Sequence, residues 1–115
     1  MAAYYDISIE QGATYNQLFV WKTSEGDPVD ITGFTARMQI RRRKTSVDAE
    51  HTATTENGGI ELGGVDGTIR VIISAADTAL FDFCGGVYDL ELVTGGTVVT
   101  RLIEGAVTVS REVTR

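Results

Sequence analysis

Glycines punctuate this chain at intervals of about ten residues, and short runs of alternating polarity fill the spaces between them. Gly12, Gly26, Gly33, the pairs Gly58 and Gly59, Gly63 and Gly64, then Gly67, and the pairs at 85–86 and 95–96 all sit where the pattern breaks. A backbone that turns so often has room for short strands and little room for long helices. No strand–helix–strand alternation typical of a parallel sheet is visible. The expected fold is all-β, an immunoglobulin-like or Greek-key β-sandwich with one short helix. At 115 residues and 43% hydrophobic content, residues 1–115 should form a single domain with one core.

Period-two alternation places the strands. In residues 5–9, Tyr5, Ile7 and Ile9 face one way, with Asp6, Ser8 and Glu10 opposed. Residues 14–22 become apolar on both faces, as a central strand would, with Phe19 and Trp21 directed into the core. A short strand is expected over residues 29–31, between the Gly26–Pro28 turn and Gly33. The clearest alternation covers residues 35–43: Ala36, Met38 and Ile40 form an inner row, Thr35, Arg37, Gln39 and Arg41 an outer one. Residues 44–57 are polar, small and aperiodic, which reads as a long loop. Further strands are expected at 60–62, 68–73, 86–94 and 98–109, with Gly105 marking a bulge or bend. The helix is expected at residues 74–81, capped by Ser74 with Asp77 three residues on, and anchored by Leu80 and Phe81.

Composition removes several function classes. The net charge of −6 disfavours general nucleic-acid binding, which needs cations to neutralise phosphates. No apolar run reaches the ~18 residues of a membrane span, and the N-terminus lacks the basic and apolar regions of a secretory signal. The reading is of a soluble domain made inside the cell, with no membrane partner. His51 is the one histidine and Cys84 the one cysteine, so neither a His/Cys metal cluster nor an intramolecular disulfide can be built. No cofactor is implied. Ser46, Asp48 and His51 could be drawn as a triad, but they share one irregular loop without a rigid scaffold or an oxyanion hole. Asp89 and Glu91 share one strand face, which suits a solvated charged row better than glycosidic acid–base chemistry. The segment GGVDGT is a turn rather than a calcium loop, lacking regular acidic spacing. The expectation is a non-enzymatic protein.

The one strong charge feature is Arg41, Arg42, Arg43 and Lys44. Removing these four cations from a chain of net −6 leaves −10 on the rest, a polarised surface suited to protein contacts. Protection of a sheet edge is the competing reading. A candidate protein interface therefore comprises Arg41, Arg42, Arg43 and Lys44, with His51 from the following loop and Arg111 and Arg115 from the polar tail.

Several segments together resemble a known family. Gln11-Gly12, Phe19-Val20-Trp21, the turn GDPVDITG (26–33) and TARMQIR (35–41) follow one another in order. DGTIRVIISAADT and the hairpin YDLELVTGGTVVTRLIEGAV come after them. This order is similar to the N-terminal domain of bacteriophage baseplate upper proteins, and it extends over the chain outside residues 44–57. The resemblance implies a structural part of a phage tail, baseplate or tail-fibre attachment. Such a part would work as a symmetric oligomer, a trimer or a ring, bound to other virion proteins. It would be located in the virion, and in the host cytoplasm during assembly. A capsid decoration protein and a carbohydrate-binding attachment module using Tyr4, Tyr5 and Tyr15 are the alternatives.

Overall fold

The computed structural model describes residues 2–114. The first half contains β1 (Ala3–Tyr4), β2 (Ile7–Glu10), β3 (Tyr15–Val20), β4 (Thr35–Arg41) and β5 (His51–Thr54). The second half contains β6 (Ile60–Leu62), a 3-10 turn (Gly64–Asp66), β7 (Thr68–Ile73), α1 (Ala75–Ala79), β8 (Gly85–Val93) and β9 (Val99–Ser110). The strands make two sheets: a larger one ordered β1-β9-β8-β4-β5, with β2 also on β9, and a smaller one ordered β3-β7-β6. One buried cluster draws on both, with Met38, Ile40, Leu90, Leu92 and Val107 meeting Ile60, Ile69, Val71 and Ile73. Each such side chain contributes about 1.5–3 kcal/mol by leaving water. The fold is therefore all-β with two sheets and one short helix.

The alternation of β4 and β7 carries directly into burial. Ala36, Met38 and Ile40 are buried while Thr35 and Arg37 are exposed, and Ile69, Val71 and Ile73 are buried in β7. The α1 cap forms as expected, Ser74 Oγ accepting the Asp77 N–H at 3.1 Å. The anchor differs. Leu80 is 80% exposed, whereas Thr78 is fully buried and Phe81 nearly so. The Thr78 hydroxyl donates to the Ala13 carbonyl at 2.8 Å and accepts the Gly12 N–H at 3.1 Å. Five helical residues cannot hold themselves together, and this polar peg pins them to the turn between β2 and β3. Gln11 extends the same junction. Its amide donates to the Phe81 carbonyl at 2.8 Å and its oxygen accepts the Glu112 N–H at 2.9 Å.

Four further expectations are corrected. No strand forms over residues 29–31. The Lys22–Pro28 bridge is isolated, and Asp30 Oδ1 immediately accepts the Thr32 N–H at 3.0 Å, closing a turn. The segment 44–57 is not all loop, because β5 pairs with β4 in the register Met38–Ala53 and Ile40–His51. Small Ala53 supplies its one fully buried apolar contact, too little to show as alternation. β3 is an edge strand rather than a central one, paired with β7 alone. Its outward Leu18 and Val20 remain 43% and 45% exposed.

The fourth correction concerns Gly105. The β8–β9 register runs unbroken through Tyr88–Gly105, and the irregularity lies instead between Leu90 and Glu91, leaving Leu102 of β9 without a partner. Gly105 is required because another backbone crosses it. A Cβ there would lie 2.1 Å from the Tyr5 carbonyl oxygen. At this crossing the pairing of the N-terminal segment with β9 is interrupted, but its register is kept. β1 pairs in parallel with Ile103 and Glu104, and β2 in parallel with residues 107–110. Between them Asp6 Oδ1 accepts the Ala106 N–H at 2.9 Å, and the Tyr88 hydroxyl donates to the Tyr5 carbonyl. A Gly105→Ala change should destabilise the protein by roughly 1–3 kcal/mol through overpacking. Gly95→Ala meets its nearest atom at 3.7 Å and should change stability by less than about 0.5 kcal/mol. Urea unfolding of both variants checks the pair.

Candidate functional site

Residues 41–44 do not lie on a sheet edge. β4 is flanked by β8 and β5, so the cations mark the corner where the chain leaves β4 for β5. Arg41 is a brace. Its guanidinium donates to the Ser46 carbonyl at 3.0 Å, the Val47 carbonyl at 2.8 Å and Gln39 Oε1 at 2.8 Å. Arg42 turns to the other side of the sheet, as its parity with Ile40 requires. There it pairs with Glu50 at 3.0 Å and Asp82 at 2.6 Å and lies over the Phe83 ring, 5.8 Å from its centroid. The Arg43 N–H donates to Ser46 Oγ at 3.1 Å, while its side chain is exposed. Lys44 Nζ is 3.5 Å from Glu104 Oε1.

The remaining expected interface residues lie elsewhere. His51 is half-buried against Phe81, ring centroids 5.7 Å apart. Burial holds its pKa below the ordinary value, against a smaller opposite effect of Asp77. Arg111 donates to the Asp82 carbonyl at 3.0 Å, beside Arg42 rather than Lys44. Arg115 lies outside the described residues. The triad drawn from Ser46, Asp48 and His51 does not assemble, since Ser46 serves the 43–46 turn and His51 packs against Phe81. Among the described residues, no group of three or more His, Cys, Asp or Glu could hold a metal ion. No helix among them is long and apolar enough to cross a membrane.

The outer face of the larger sheet is the organised charged surface that the fold does build. Across β4, β8 and β9 the register aligns Arg37, Glu91 and Arg101 in one row and Gln39, Asp89 and Glu104 in the next. Arg37 Nε is 2.7 Å from Glu91 Oε1, and Arg101 Nε is 3.5 Å from Asp89 Oδ2. Asp89 and Glu91 do share a face, but each is matched to a cation from a neighbouring strand. The result is a lattice of ion pairs around three carboxylates. A shallow depression of about 300 Å³ opens over it, lined by Gln39, Arg41, Lys44, Asp89, Arg101 and Glu104 among others. Burial raises the Asp89 pKa, Glu91 raises it further, and Arg101 opposes both.

Arg101 and Glu104 were beyond reach of pattern reading. Three positions apart, they would point to opposite faces of a regular strand. The unpaired Leu102 resets the parity and brings both to the outer face. Exposed pairs of this kind contribute about 0–1 kcal/mol each, so a partner could exchange them for its own charges at little cost.

No protein-family model matches this chain, and no curated protein sequence matches it. Similar solved structures are immunoglobulin-like domains. The extracellular domain of the voltage-gated sodium channel beta4 subunit, described as a parallel homodimer with a role in cell–cell adhesion, superposes with a TM-score of 0.51 at 9% identity. That alignment covers 98% of this chain and 96% of the other. Tim-1 superposes with a TM-score of 0.49 at 16% identity, over 100% and 99% of the two chains. At such identities the likeness concerns fold: the two sheets resemble an immunoglobulin-like β-sandwich.

Two outcomes are expected of this surface. Arg41→Ala should destabilise the protein by roughly 1 kcal/mol through lost hydrogen bonds to Ser46 and Val47, and speed proteolysis at residues 45–49. Arg43→Ala should do neither, as limited proteolysis with urea unfolding would show. Asp89 has a folded pKa above its unfolded one, so its stabilising contribution is complete below the unfolded value. That contribution is lost as pH rises through the raised folded value. Asp89→Asn should therefore raise the melting temperature at pH 7 and leave it unchanged at pH 3, read by calorimetry.

Proposed function

We propose that this chain is a non-enzymatic bacteriophage virion protein, a Greek-key immunoglobulin-like module joining tail, baseplate or tail-fibre components. The observation that carries this is the outer face of the larger sheet, where cations from β4, β9 and the 41–44 corner surround Asp89, Glu91 and Glu104. Such a face suits a protein surface of mixed charge, since rows of both signs fix register and reject mismatched partners. It suits nucleic acid poorly, because carboxylates occupy its centre.

The residues behind the family resemblance support the same reading through architecture. Gln11 and Gly12 form the junction of β2, α1 and the C-terminal segment, and Phe19 and Trp21 pack on the core. Assembly on the virion would place copies in a symmetric oligomer, a trimer or ring, made in the host cytoplasm. The carbohydrate-binding alternative is less well served. Tyr4 is 73% exposed, but Tyr5 packs edge-on against Phe19 and the Tyr15 hydroxyl is buried. A capsid decoration role uses the same face and differs in position, which imaging of labelled protein on intact particles separates.

The interface part is tested with Lys44→Glu combined with Arg101→Glu, assayed for binding to purified tail and baseplate proteins. Binding should weaken by about tenfold or more, equivalent to at least about 1.4 kcal/mol, with an unchanged melting temperature. Wild-type binding should fall as salt is added. Unaltered binding by the folded double variant would remove the face from the function.

A further inference from the structure

A second surface is independent of the charged face. β3 pairs with β7 on one side only. The Trp21 N–H donates to the Gly67 carbonyl at 2.9 Å, and the Ile72 N–H donates to the Gly59 carbonyl at 2.8 Å. These two bonds fix the phase of both strands. Backbone groups alternate in direction along a strand, so Tyr15, Gln17, Phe19 and Trp21 bond toward β7. The N–H and C=O groups of Asn16, Leu18 and Val20 are then directed to the free edge. Among the described residues, the one hydrogen bond to them from within the chain comes from Gln17 Nε2, 3.4 Å from the Leu18 carbonyl oxygen.

Proteins normally blunt such an edge with charge, proline or a bulge. The other edges here are treated that way or are short. β6 has three residues including Glu61, β5 has four, and the β1–β2 edge is broken at the Tyr5–Asp6 crossing. β3 has six residues, and no charged residue occurs between Gln11 and Trp21. Along it, Leu18 and Val20 are 43% and 45% exposed.

We propose that this edge pairs with the same edge of a second copy of the chain, antiparallel, about a two-fold axis through Leu18. The geometry closes on itself. Leu18 would exchange both backbone hydrogen bonds with the partner's Leu18, and Asn16 would do so with the partner's Val20. The charges of the small sheet stay off the seam. Arg70 stands beside Leu18 on β7 and Glu61 beside Arg70 on β6, and Arg70 Nη1 donates to Asn16 Oδ1 at 2.6 Å. The seam therefore has an uncharged centre with opposite charges matched within each copy, and the two small sheets become one continuous sheet. An isologous contact of this kind stops at a dimer. One strand pair buries less than the ~1,200–2,000 Å² of a stable interface, so the dimer should form reversibly with concentration. Each copy carries net charge −6, so added salt should strengthen this dimer by screening repulsion. Salt acts oppositely on the ion-paired face, so failure of one surface is distinguishable from failure of the other.

Amide hydrogen exchange of the full chain, read residue by residue in dilute and concentrated samples, tests the pairing. Protection of Asn16, Leu18 and Val20 should rise with concentration, while Gln17 and Phe19 are protected in both samples. Leu18→Lys places two like charges opposite each other across the seam, and Asn16→Lys sets a cation on the free edge opposite the partner's Val20, the device by which natural edges resist pairing. Each should abolish the concentration dependence and leave a monomer in sedimentation, with the melting temperature retained. Exchange at Asn16, Leu18 and Val20 that ignores concentration would overturn the proposal. So would a dimer that survives both folded lysine variants, or protection that arises only when another virion protein is added.

Discussion

The lengthwise pairing of β2 with β9 is the contact on which the rest of this sandwich depends. It ties a segment near the start of the chain to one a hundred positions later, in parallel register from Ile7–Val107 to Glu10–Ser110. With β2 held there, Ile7 and Ile9 enter the core opposite the smaller sheet. Gln11 and Gly12 arrive where they can hold α1, and β3 begins in the second sheet. The same register continues into β1, which pairs with Ile103 and Glu104 on the far side of the Tyr5–Asp6 crossing. Gly105 leaves room for the Tyr5 carbonyl between the two strands.

Much of this was legible in alternation. Residues 35–41 and 68–73 show their inner and outer rows without ambiguity, because each strand has one dry and one wet face. The cap of α1 was equally readable, since Ser74 and Asp77 stand at the spacing the capping hydrogen bond needs. The failures share a physical cause. β3 is apolar on both faces, which burial would explain, but here one of those faces is left uncovered at an edge. β5 is nearly featureless, because its partners on β4 supply the hydrophobic contacts and Ala53 needs only to be small. Thr78 replaced Leu80 as the anchor of α1 through two polar contacts across the fold, which no local pattern can announce.

The candidate site was legible in part. The outer row of β4 and the shared face of Asp89 and Glu91 follow from period two, yet Glu104 and Arg101, the partner of Asp89, do not. A single unpaired residue, Leu102, moves Arg101 and Glu104 onto one face. The cluster of cations at residues 41–44 was visible and its role was not, because proximity in sequence concealed different tasks. Arg41 holds a loop, Arg42 covers Phe83 on the far side, and Lys44 reaches the lattice. Charge counting identifies a patch; only register separates its members.

The parallel seam also bears on how the protein comes to exist. While a ribosome is making this domain, β2 has no partner until β9 has emerged, roughly a hundred residues later. At ~5–20 residues per second that is a wait of several seconds or more. During it, Ile7 and Ile9 remain uncovered. Contacts so distant in sequence also slow folding itself. The domain cannot close piecemeal as it is synthesised, and its N-terminal strand is the last to find shelter although it is the first to be made.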